Sequence, residues 1–131
     1  MNTVLSANGL VLTGIILTVL VAIEHIAIAW LEMFGQPEKQ AKAFSMSLDF
    51  IKQPEAKISM ANQGIYNFML GVLLIAIYAT LLAHFQIMLL MWRLVLGFIV
   101  IVAAYGGFTA SKKIWLVQLL PAAIALVLIS L

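Results

Sequence analysis

A chain of 131 residues that is 65% hydrophobic and only 9% charged, with a mean hydropathy of +1.16, carries far less charge than the roughly 25% usual for a water-facing domain. Its length allows one small domain, and its lack of cysteine excludes disulfides, thiol catalysis and thiolate metal sites. The basic pI of about 9.1 arises from loop lysines, which read as a membrane-orientation signal and not as a nucleic-acid footprint.

These constraints imply an all-α integral membrane protein in a lipid bilayer. The opening MNTVLSANG lacks the basic n-region of a secretory signal, so no cleaved peptide is expected. The first apolar segment covers about 10–33 and stops at Gly35, with Pro37 close behind, a helix-ending pattern. Glu24, His25 and Glu32 interrupt it. A polar connection follows over 36–61, in which Lys39, Lys42, Lys52 and Lys57 alternate with Glu38, Asp49 and Glu55. Its Phe44, Met46, Phe50 and Ile51 suit a short interfacial amphipathic helix, and its polarity suits a solvated loop equally well.

Further apolar segments are predicted over about 62–83, 89–108 and 114–131, each long enough to cross or nearly cross a ~30 Å hydrocarbon core. Short links after the second and third make neighbours antiparallel. The expected architecture is a four-transmembrane-helix up-down bundle. Six lysines, at 39, 42, 52, 57, 112 and 113, gather on one side, against Arg93 alone on the other, read as snorkelling at the start of the third helix. Positive-inside reasoning places the lysine side in the cytoplasm and both termini outside.

Depth then gathers the polar residues. Glu32 lies at the lysine-rich end of the first helix, with His25 and Glu24 about 10 and 12 Å deeper at 1.5 Å per residue. Asn62, Gln63, Tyr66 and Asn67 enter the same layers on the second helix, Tyr105 on the third and Gln118 on the fourth. Glu24, His25 and Glu32 fall within an arc of about 100° around Ile28. An ionised carboxylate at the depth of Glu24 costs at least ~2.5–3.5 kcal/mol on insertion scales, so such residues default to function. For the amides and tyrosines, interhelical hydrogen bonding is an equal alternative, worth roughly 0.6 kcal/mol each. Pro121 removes a hydrogen bond and frees a carbonyl on the preceding turn.

His84 lies some 20 Å from the level of His25 by helical rise, which speaks against a bis-histidine haem. Adjacent Glu24 and His25 do not form the Glu-x-x-His pair of a di-iron bundle. A single divalent metal on Glu24, His25 and Glu32, with Asn67, remains a candidate.

The segments EHIAIAWLEMF, ANQGIYNFMLG, AAYGGFTASKKI and VQLLPAAIAL together resemble a group of small bacterial membrane proteins grouped as domain of unknown function thirteen hundred and four. The resemblance covers essentially the whole chain. It implies a four-helix protein of the bacterial inner membrane and places the family pattern on His25, Glu32, Asn62, Gln63, Tyr66, Asn67, Tyr105, Gly106 and Gln118. It supplies no reaction, although some members bear the label epimerase. Three functions are therefore open: binding or transport of a small molecule or ion, which needs a homo-oligomer; an isomerase or epimerase using Glu24 and His25 as acid and base on a lipid-like substrate; and an accessory structural subunit.

Overall fold

The computed structural model describes residues 7–131, and all its regular elements are helices. They are α1 (Gly9–Phe34), α2 (Pro37–Phe44), α3 (Leu48–Ile51), α4 (Pro54–Leu81), α5 (Phe85–Thr109) and α6 (Leu120–Leu128), the last preceded by a π turn at Trp115–Leu119. Most of the opening stretch discussed above lies outside the described residues. Helices α1, α4 and α5 are each long and apolar enough to cross a membrane, and the continuous stretch Trp115–Leu128 is shorter.

Three expected boundaries move, the smallest shift being that of the start of α5, which lies at Phe85 and not at 89. The second long helix starts at Pro54, not at 62. The reason is local: proline has no N–H to lose at a first helical position, and Glu55 complements the positive end of the helix dipole. The same Gln-Pro-Glu sequence starts α2 at Pro37. The polar connection between the long helices therefore narrows to Gly35–Gln53, most of it helical. At the other end, the segment expected over 114–131 is regular α-helix only from Leu120 to Leu128.

Helix α1 is capped by the Asn8 side chain, which accepts from the Val11 N–H at 2.8 Å. Its buried residues form a seam: Val11, Thr18, His25 and Glu32 at intervals of seven, with Gly14, Ile15, Val21, Ala22 and Ala29 between them. That spacing is the heptad signature of helices packed side by side. Its most extensive partner is α4, and small residues make the approach close. A Cβ on Gly71 would meet the Ala22 carbonyl oxygen at 2.5 Å, and one on Gly64 would press on Met33 and Ala29. In lipid, where apolar burial drives no association, such backbone proximity is a principal source of helix adhesion.

Helix α6 closes the ring between α1 and α5. Ala122, Ala125 and Ile129 are fully buried there, and Gly14 lets the Ile129 backbone come close. Arg93 does not snorkel freely: its Nη2 donates to the Ile129 carbonyl at 2.7 Å, satisfying the C-terminal end of α6. The core centres on Trp92, fully buried, which stacks on Tyr78 at 5.9 Å and donates from Nε1 to the Leu74 carbonyl at 2.9 Å. The cluster extends through Val21, Met88, Leu96 and Ile129 and so occupies the half of the bundle away from the lysines.

Candidate functional site

In the lysine-rich half the helices leave a cavity of about 250 Å³. One wall is polar. Glu32 and Asn67 are both 8% exposed, and the Asn67 Nδ2 donates to Glu32 Oε2 at 2.7 Å, tying α1 to α4. His25, 2% exposed, lies within 2.9 Å of the Val21 carbonyl through Nδ1. A carbonyl only accepts, so Nδ1 carries the proton and Nε2 of the neutral ring is an acceptor. Among the described residues, neither His25 Nε2 nor Glu32 Oε1 has a hydrogen-bond partner, and both residues line the cavity.

The other walls are mostly apolar. Leu70, Ile99 and Val102 line the deep side, and Ala43, Phe44 and Met46 form a roof contributed by α2 and the turn after it. Four hydrogen bonds fix that roof. Gln40, almost fully buried, donates from Nε2 to the Leu31 and Glu32 carbonyls at 2.9 and 3.0 Å, adding to the Gly35 N–H that Leu31 already accepts and helping to satisfy the C-terminal carbonyls of α1. The Lys113 ammonium donates to the Lys42 carbonyl at 2.9 Å, and the Ser45 and Ser111 hydroxyls lie 3.3 Å apart. Ser45 adopts a left-handed conformation, φ 57° and ψ 39°, and so ends α2 and turns the chain over the cavity.

Gln118 enters the lining from the π turn. There the Leu120 N–H bonds the Trp115 carbonyl five residues back. Pro121, one residue further on, has no N–H to give to the carbonyl four residues before it, and widening the preceding turn accommodates that loss.

Five of the residues singled out by depth thus line one cavity: His25, Glu32, Gln63, Asn67 and Gln118. Four do not. Glu24 is half-buried beside the seam, with Oε1 enclosed and unpartnered. Asn62 is exposed. Tyr105, 71% exposed, faces outward, and its neighbour Gly106 lines the cavity. Tyr66 is also exposed and lines an adjoining groove of about 480 Å³, together with Gln63, Asn67, Leu73, Phe98 and Val102. Among the described residues no three His, Asp or Glu side chains converge on a common metal position. The metal set of Glu24, His25 and Glu32 therefore does not assemble. His84 lies in the α4–α5 link, at the opposite end from the lysines.

The seven-residue repeat was the available signal for separating His25 and Glu32 from Glu24, since only the first two fall on the Val11–Thr18 seam. Phe44 and Met46 carried no such signal, because their position depends on the Ser45 turn.

Long apolar helices, a small-residue interface and a buried imidazole–carboxylate–amide wall define a small helical membrane protein with an internal polar surface. The chain belongs to the family described as Protein of unknown function (DUF1304), which it matches over residues 19–130. It is 38% identical over 105 residues to the Uncharacterized protein YpaA of Lactococcus lactis subsp. lactis (strain IL1403), covering 79% of this chain and 85% of that protein. No solved structure matches.

Proposed function

We propose that this is a four-pass up-down bundle of the bacterial inner membrane, lysine-rich end in the cytoplasm, that binds a small molecule or ion in the His25–Glu32 cavity. The observation that carries the reading is the pair of unpartnered acceptors, His25 Nε2 and Glu32 Oε1, on buried residues that line the cavity. Neither atom is fully enclosed, in contrast to Glu24 Oε1 and Arg93 Nε, which are buried without a partner, so both acceptors are open to a bound group. Polar groups that served only to hold helices together would be paired with each other, as Asn67 and Glu32 Oε2 are. A bound hydrogen-bond donor completes the set.

Isomerase chemistry is the second reading. It is favoured by the same wall, with Glu32 in the role expected of Glu24: a carboxyl and an imidazole on one surface suit proton transfer at adjacent positions of a substrate.

Native mass spectrometry of the protein in mild detergent tests the binding reading. A bound mass is expected on the wild type and on Tyr105→Phe, and is expected to be lost in His25→Ala and Glu32→Gln. The same adduct on all four proteins would place the ligand elsewhere and remove the proposal.

A further inference from the structure

The cavity does not end at its deep wall. Gln63, Asn67, Leu70 and Val102 line both it and the adjoining groove between α4 and α5. Leu70, Leu73 and Phe98 carry that groove on to Leu94 and Val95. From the junction inward the surface is apolar, and Leu73, Leu94 and Phe98 are largely exposed on the face that meets lipid. The α4–α5 pairing is far slighter than the α1–α4 pairing, so the bundle is least closed on this side. At its lysine-rich end the α2 roof covers the cavity.

Resting on the cavity reading above, we propose that the ligand is a single-chain membrane amphiphile with a hydrogen-bond-donating head, a hydroxyl or an ammonium, which enters sideways between α4 and α5. Size argues for it: about 250 Å³ falls below the roughly 300–1,000 Å³ of ordinary ligand sites, and the groove supplies the missing room. Length argues for it too. From Gln63 to Leu73 the groove runs about 15 Å at 1.5 Å per residue, half of a ~30 Å hydrocarbon core and so the depth of one leaflet. Polarity runs the same way as in a lipid of that leaflet, with the polar wall toward the lysine-rich surface and the apolar groove toward the midplane. With His25 neutral and Glu32 ionised, Nε2 and Oε1 both accept, and the head that completes them donates. A fatty acid, whose ionised head only accepts and faces a carboxylate, fits poorly.

The test uses the full chain in liposomes, irradiated with hexadecan-1-ol bearing a mid-chain diazirine, with labelled residues mapped by peptide mass spectrometry. Label is expected on Leu73 and Phe98. Unlabelled hexadecan-1-ol at about a tenfold excess should reduce it by about tenfold through mass action, and sodium hexadecanoate should not. Leu70→Trp and, as an independent block on the other helix, Val102→Phe should reduce it similarly. Ile101, exposed outside the groove, should be labelled weakly and unaffected throughout. Equal, uncompeted labelling of Phe98 and Ile101 would mean bulk lipid contact and overturn the proposal. Equal competition by hexadecanoate would overturn the head assignment. Efficient disulfide cross-linking of Phe98→Cys to a second copy would make the groove a subunit interface and overturn it as well. In each of these cases a bound mass lost in His25→Ala would still support the cavity, so the two readings fail separately.

Discussion

The same helices build both halves of this molecule, with different results. Around Trp92 they close tightly, and Val21, Met88, Leu96, Ala125 and Ile129 are fully buried. Around His25 they part and leave a void. Helix α6 makes much of the difference. In the dry half its small residues Ala122 and Ala125 let it settle between α1 and α5, whereas the π turn before it buries no residue at all and holds Gln118 at the edge of the cavity. The contrast teaches that a short bundle can divide its labour along its axis: one half supplies cohesion, and the other tolerates open space and unpaired acceptors.

The sharpest way to break that comparison is truncation in each half. Trp92→Ala removes a fully buried ring and is expected to cost ~3–5 kcal/mol. His25→Ala, beside an existing void, should cost about the 0.5–1.5 kcal/mol of one hydrogen bond. Unfolding monitored by circular dichroism in detergent measures both, and equal losses would mean the halves are packed alike. Gly14→Leu comes next: a Cβ there would meet the Ile129 nitrogen and Leu128 Cβ at 2.9 Å, and overpacking of this kind costs ~1–3 kcal/mol. Its counterpart, Gly97→Ala, meets nothing within 4 Å and should stabilise by about 0.4–1 kcal/mol through a less flexible unfolded chain. A double-mutant cycle on Glu32→Ala and Asn67→Ala should give a coupling near the ~0.6 kcal/mol average for membrane hydrogen bonds, at most about 1.7; zero coupling would dissolve the polar wall as a unit. The smallest effects belong to Asn62→Ala and Tyr105→Phe, within about ±0.5 kcal/mol and without influence on a bound mass.

Much of this arrangement was legible because lipid imposes simple rules. Apolar length announced α1, α4 and α5, and depth sorted the polar residues into one half. What depth could not give is azimuth. Glu24 and His25 share a level, but adjacent residues point about 100° apart, and the direction inward is set by the neighbouring helices, not by α1 alone. Tyr105 and Gly106 show the same ambiguity, one outside and the other on the cavity. The start of α4 was hidden for a different reason: Gln53-Pro54-Glu55 is a helix-start signal, but the polarity of the turns that follow resembles loop. The α2 roof was beyond reach, since an eight-residue helix has too few turns to fix which face packs, and Gln40 finds its acceptors only once the end of α1 is in place.

The brevity of the C-terminal helix bears on the surrounding lipid. Trp115–Leu128 measures roughly 21 Å at 1.5 Å per residue, whereas α1, with 26 residues, measures roughly 39 Å. One flank of the protein is thus shorter than a ~30 Å bilayer core and the others are longer. If α6 crosses as proposed, hydrophobic mismatch of opposite sign on two sides of one small protein would be met by thinning the bilayer against α6 and tilting the longer helices. In the proposed four-pass arrangement, head groups and water would be drawn inward along α6, against a thickened or tilted annulus along α1 and α4.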